Sequence, residues 1–236
     1  MYWDPLYLLL IVMFFISLGA QSKVKSTYSK YSKVASSKGI TAEQAVQMVL
    51  RHYDINDVSI QQIPGQLTDN YNPKTKIISL SEPVCGSTSI AAIGVACHEA
   101  GHAAQHATGY LPIKIRNAVV PVCNIGGSLG IPIAVVGIIL ATAANMVDFG
   151  FMLVDIGILL YSFVALFQLI TLPVELDASR RALAVIGDES ILTSEERHGA
   201  KKVLKAAAMT YVVALATALV NLLRFIVIFT GGRRRN

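Results

Sequence analysis

Four stretches of this chain are apolar and nearly free of charge for long enough to cross a membrane. Residues 5–22, 117–147 and 206–223 hold no Asp, Glu, Lys or Arg, and residues 149–174 hold only Asp155. Inside hydrocarbon every backbone N–H and C=O must be bonded within its own segment, so such a stretch has to be helical. About 20 helical residues cover a hydrocarbon core of roughly 30 Å. The last stretch runs on past Arg224 to about Thr230. With 53% hydrophobic residues and a mean hydropathy of +0.54, the chain is too apolar for an ordinary soluble domain. The expected fold is a mainly α integral membrane protein with about four transmembrane helices, a multi-pass protein.

The segments then divide as follows. Residues 1–22 form a transmembrane anchor and 23–116 a membrane-proximal α+β region. Residues 117–147 and 149–174 are the second and third transmembrane helices, and 175–205 is a helical segment between membrane passes. Residues 206–230 are the fourth transmembrane helix, followed by a basic tail at 231–236. The first stretch reads as a retained signal anchor. Met1-Tyr2-Trp3-Asp4 has no positive n-region, and Leu18-Gly19-Ala20 is a weak cleavage site. Tyr2, Trp3 and Tyr7 suit the headgroup level. In the second stretch, Pro121, Gly126, Gly127, Gly130 and Pro132 predict a kinked or re-entrant start, with the straight part over 131–147.

Basic residues set the orientation. Of the 20 Lys and Arg, all but Arg224 and Arg233–Arg235 fall in the segments that four crossings place on one side, which is the cytoplasmic side by the positive-inside rule. The terminal arginines oppose that assignment. A net charge of +5 therefore needs no nucleic-acid partner. Lys23, Lys25, Lys30, Lys33 and Lys38 serve as a topology signal, and a juxtamembrane segment of this kind is also attracted to anionic lipid. Three cysteines, Cys85, Cys97 and Cys123, are odd in number and unpatterned, so they indicate no disulfide framework.

Between the first and second transmembrane stretches, Thr41-Ala42-Glu43-Gln44 is a capping box that opens an amphipathic helix with Ala45, Val46, Val49 and Leu50 on its apolar side. Val58–Ile63 alternates as a strand does, Asp69–Pro73 reads as a turn, and Lys76–Leu80 reads as a second strand. A strand in that position is expected to offer an edge to an extended peptide. It leads into a helix over 88–108.

That helix carries His98-Glu99-Ala100-Gly101-His102, an H-E-x-x-H motif. Residues four apart share a helix face, so both imidazoles can close on one Zn²⁺ while Glu99 reaches a water on it. Neutral imidazoles leave the ion its charge, which lowers the pKa of that water far below the free value of about 15.7. Glu99 is then placed to act as base and later as acid in peptide hydrolysis. The flanks Ser89–Cys97 and Ala103-Ala104 are small and apolar, so the three polar groups are expected to be buried and to need partners. Gly101 weakens a helix by about 1 kcal/mol relative to Ala, which points to a close approach there. His106 lies about 12 Å along the axis from His98 at 1.5 Å per residue, too far to share the ion.

Catalytic zinc takes three protein ligands and keeps one position open. Glu175, just beyond the third transmembrane stretch, is the first candidate. Asp177 projects from another side of a helix, and Asp155 is a competitor because a carboxylate inside a membrane helix is costly and usually functional. Use of Asp155 would make the protein an intramembrane protease. A non-proteolytic transporter or scaffold that merely binds metal is the reading of another class. For the transition-state oxyanion, Arg181, His198, Tyr211 and Tyr71 are available, and spacing does not select among them.

The motifs Leu67–Pro73, Ile78–Ser81, Ser89–Ala92, Cys97–Gln105 and Leu172–Ser179, in that order, resemble the YugP-type neutral zinc metallopeptidases of bacterial membranes. The resemblance spans most of the chain and implies a membrane peptidase with one catalytic zinc ion in a zincin-like region, acting on protein or peptide substrates. More distantly, the chain is similar to HtpX-type and CAAX-prenyl-type membrane peptidases, whose E-x-x-A-D motif supplies the third ligand and an Asp that orients a histidine. Glu175-Leu176-Asp177-Ala178-Ser179 matches the Glu and the Ala but has Ser179 in place of the Asp. That implies His98, His102 and Glu175 as ligands and Glu99 as the catalytic carboxylate, and leaves the orienting role to Asp177 or Ser179.

Overall fold

The computed structural model describes residues 5–144 and 146–233; Tyr2, Trp3, Arg234 and Arg235, with the roles expected of them, lie outside the described residues. Among the described residues there are six helices and three strands. They run α1 (Pro5–Tyr31), α2 (Ala42–His52), β1 (Ser59–Ile63), β2 (Asn70–Asn72), β3 (Ile77–Ser81), α3 (Ile90–Ala107), α4 (Leu111–Ala143), α5 (Val147–Asp188) and α6 (Ser194–Arg233). The protein is a mainly helical membrane protein with a small sheet. Helices α1, α4, α5 and α6 are each long and apolar enough to cross a bilayer.

The chain forms two compact units, each assembled from separate parts of the sequence. One comprises residues through Leu18, Ile115–Leu172 and from Tyr211 onward; the other comprises Gly19–Lys114 and Pro173–Thr210. The long helices outrun the apolar stretches. At 1.5 Å per residue the 42 residues of α5 extend about 63 Å, twice a hydrocarbon core. Its continuation past Pro173 rests on Glu, Leu, Ala and Arg, which favour helix wherever water replaces lipid.

In the membrane unit, large side chains such as Phe14, Phe15, Ile139, Leu159 and Leu169 face outward, as lipid requires. Helix α4 continues through Pro121 and Pro132 over the whole of Leu111–Ala143, so the segment expected to be kinked or re-entrant is helical from its start. Its glycines serve a different purpose. A Cβ at Gly137 would stand 2.6 Å from the carbonyl oxygen of Gly150, and one at Gly157 would stand 2.6 Å from that of Gly130. The α4 and α5 backbones therefore touch along a stripe of small residues, the means by which helices associate where no hydrophobic force drives them together.

The second unit holds the core. Thr41 and Gln44 exchange the two bonds of a capping box, with Gln44 N–H on Thr41 Oγ1 at 3.3 Å and Thr41 N–H on Gln44 Oε1 at 2.9 Å. This fixes the register in which Ala45, Val46, Val49 and Leu50 turn inward. A second capping box, Thr193 with Glu196, opens α6. The sheet order is β1-β3-β2, with β1 and β3 parallel (Ser59 opposite Ile77) and β2 antiparallel to β3 (Tyr71 opposite Ile78). Residues expected to be only a turn thus contribute strand β2. The strand before α3 is the buried centre of the sheet, with β1 and β2 as the edges, so it offers no free edge to a peptide. The carboxylate of Asp69 ties the end of β3, accepting from Ser81 N–H at 2.8 Å and Ser81 Oγ at 2.9 Å.

Candidate metal centre

Helix α3 starts where Ser89 caps it, accepting Ala92 N–H at 3.2 Å, and its Ala-rich faces bury it almost completely. Against it lies the continuation of α5. A Cβ at Gly101 would stand 2.5 Å from the carbonyl oxygen of Ala178, so the close approach at Gly101 is backbone to backbone. That contact places the α5 turn 175–179 directly over His98 and His102.

The three groups converge. The nearest approaches to Glu175 Oε2 are His98 Nε2 at 3.2 Å and His102 Nε2 at 3.6 Å. One donor atom from each residue fits within 4.8 Å of the other two, and this is the group of metal-competent side chains that the described residues assemble. Asp155, whose side chain is exposed, is not part of it, and Asp177 is turned elsewhere. His106 packs its ring 5.7 Å from that of Tyr71.

The hydrogen bonds around the imidazoles decide which nitrogens face inward. Gln105, fully buried, donates from its amide nitrogen to Val174 O at 2.8 Å and to Asp177 Oδ2 at 3.0 Å. With both donors committed, its Oε1 can only accept, and it faces His102 Nδ1 at 3.0 Å. His102 therefore carries its proton on Nδ1 and presents a lone pair on Nε2. His98 Nδ1 lies 3.1 Å from Ser179 Oγ, a hydroxyl able to accept its proton in a hydrogen bond and so leave the lone pair on Nε2. Of the two residues left open for the orienting role, Ser179 contacts His98 directly, while Asp177 reaches His102 only through Gln105. Asp177 in turn accepts from Arg180 and, at 2.6 Å, from Arg181 Nε.

Two imidazole lone pairs and a carboxylate oxygen a few ångströms apart form a cluster of acceptors, whose mutual repulsion a metal ion or a proton between them relieves. The separations of 3.2 and 3.6 Å bracket the edge of about 3.3 Å expected for a tetrahedron with bonds near 2 Å, so two His and one Glu fit Zn²⁺. Glu99 sits beside this cluster, nine-tenths buried. Burial raises its carboxyl above the usual carboxylate range, against the pull of His98 and His102, and with the help of Glu175 and Asp69.

The family described as "Putative neutral zinc metallopeptidase" matches residues 6–230. The chain belongs to this family. It is 42% identical over 221 residues to the "Putative membrane protease YugP" of Bacillus subtilis (strain 168), covering 94% of this chain and 95% of that one. No solved structure matches it. In this family member the residues that spacing left undecided now have places. Arg181 is a brace, bonded to Asp177 and to Thr108 Oγ1 at 3.2 Å, with its guanidinium over the rings of Tyr53 and Tyr110. His198 and Tyr211 lie on α6, and the Tyr71 ring is tilted against that of His106. Gln105 was not singled out by sequence reasoning. The available signal was a long polar side chain on the buried face of an otherwise apolar helix, three residues after His102.

Proposed function

We propose that this protein is a membrane-integral zinc endopeptidase in the bacterial cell membrane that cuts membrane or misfolded proteins beside the bilayer, with its site on the cytoplasmic side. The observation that carries the reading is the convergence of His98 Nε2, His102 Nε2 and a Glu175 oxygen within 4.8 Å, next to Glu99 on the same helix. His98, His102 and Glu175 would hold one Zn²⁺, with Ser179 and Gln105 keeping the imidazoles in the required tautomer. When bound, the ion supplies Lewis-acid polarisation of the scissile carbonyl and acidifies water. Glu99 takes the proton of the attacking water and returns it to the departing amine nitrogen. The basic segments around the site support the cytoplasmic side, and a bilayer and a peptide are the partners this reading requires.

The test is Glu99→Gln in the detergent-purified protein with an unfolded protein such as casein as substrate. The expected result is zinc content equal to wild type with cleavage lost. Zinc-loaded protein whose cleavage survives the substitution would remove Glu99 from the mechanism. A wild type that binds zinc and cleaves neither casein nor any of a panel of membrane proteins would favour the metal-binding scaffold instead.

A further inference from the structure

A cavity of about 650 Å³ opens between α5 and α6, apart from the metal cluster. Four cations line it, Arg180, Arg197, Lys201 and Lys205, and no carboxylate does. Leu176, Leu183 and Leu204 supply apolar walls. Arg197, Lys201 and Lys205 follow at intervals of four on α6 and so share one face, where like charges repel. Among the described residues none of these three makes an ion pair. Arg197 is held against α5, its guanidinium filling the space where a Cβ of Gly187 would be, and Arg180 is shared with Asp177. Lys201 and Lys205 are therefore the uncompensated charges. Leu176 on α5 adjoins the apolar stretch 149–174 in sequence, and Ala208 on α6 lies within the stretch 206–223.

Four exposed cations interleaved with leucines, beside the apolar stretches of two long helices, match one ligand chemistry, a phosphate on an acyl chain. We infer that this cavity binds the headgroup of an anionic phospholipid, with Lys201 and Lys205 on the phosphate and the leucines against the upper chain. Basic pockets between helices recognise acidic headgroups in this way. Ser179, which orients His98, lines the same cavity, so the lipid lies one side chain from the metal cluster. The inference is independent of peptide hydrolysis.

Native mass spectrometry of the full-length protein in detergent, titrated with phosphatidylglycerol or phosphatidylcholine, tests it. Wild type is expected to retain phosphatidylglycerol preferentially. The K201Q/K205Q double variant should lose about thirtyfold in affinity for it, with phosphatidylcholine binding unchanged. A K23Q/K25Q variant, which removes equal charge from α1, should keep the preference. The inference fails if both pairs weaken retention equally, or if K201Q/K205Q leaves it unchanged. Displacement of the lipid by excess inorganic phosphate would instead make this a small-anion site. Displacement by polyglutamate alone would make it a subsite for acidic peptide.

Discussion

His102 Nδ1 faces Gln105 Oε1 at 3.0 Å, and the amide that holds it there has both of its N–H groups committed to Val174 O and Asp177. One residue thereby determines which nitrogen of His102 is free, and it does so from a fully buried position. Gln105→Leu keeps the volume but removes the acceptor and strands two buried partners. Zinc affinity is expected to fall about 10- to 100-fold, the usual cost of losing a partner that orients a metal-bound histidine. Competition with a fluorescent chelator measures it, and an unchanged affinity would show that the imidazole orients itself.

Glu175→Gln should remove zinc from a protein that otherwise folds, because the amide brings no charge to two neutral imidazoles. Asp155→Asn should leave zinc content at the wild-type value, since Asp155 is no member of the converging group. Elemental analysis of the two variants beside wild type separates a centre on the α5 continuation from one on the membrane-spanning part. Loss of metal in Asp155→Asn alone would reverse the assignment.

What the sequence made legible was periodic or local. The four apolar stretches, the Thr41–Gln44 capping box and the helical spacing of His98 and His102 each depend on residues a few positions apart, and each is present in the structure. Strand β2 was illegible because Asn70-Tyr71-Asn72 has turn composition and becomes a strand only through pairing with β3. The purpose of the α4 glycines was illegible for a related reason. Glycine and proline signal a break in water, whereas in a membrane the same glycines let α4 lie against α5. The partners of the imidazoles come from 77 and 81 residues away in the case of Glu175 and Ser179, and no local pattern encodes that pairing.

Glu43 gives the fold a measurable acid dependence. Its Oε1 accepts from Gly86 N–H at 2.5 Å and from the Cys85 thiol at 2.9 Å, pinning the loop that leads into α3. Burial pushes its carboxyl up, but these hydrogen bonds outweigh it and hold the group below its ordinary value of 4.5. A depressed folded value means that the stabilisation is complete above 4.5 and disappears as pH falls through the folded value. Glu43→Gln should therefore flatten the loss of thermal stability on acidification below that point. A slope identical to wild type would place the acid sensitivity elsewhere.

Cys97 is next to His98 in sequence but is fully buried, and burial pushes its thiol up to about 12. It behaves as a small apolar side chain in the α3 core rather than as a ligand or nucleophile. Alkylating reagents at neutral pH should leave it unmodified until the protein is denatured, and Cys97→Ala should keep its zinc. Mass spectrometry of labelled peptides, read together with metal content, checks both.

Gly101 is where the fold and the candidate centre depend on the same atom. With the Ala178 carbonyl oxygen 2.5 Å from the place a Cβ would take, even alanine cannot be accommodated without moving α5 away from α3. Alanine is the better helix former by about 1 kcal/mol, so in an isolated helix the substitution would be favourable. Here the displacement must carry Glu175 and Ser179 with it, since both lie within a turn of Ala178 on the same helix. Gly101→Ala is therefore expected to lose zinc affinity by an order of magnitude or more while raising the helicity of a peptide spanning Ser89–Thr108. Gly94→Ala on the same helix is the control. Its Cβ would meet Ala200 on α6, the side-chain Cβ at 3.3 Å and the backbone Cα at 3.6 Å, rather than the Glu175 turn of α5. If both glycine variants weaken zinc equally, the effect is general loosening of α3, and the specific link between the Gly101 contact and the ligand geometry is wrong.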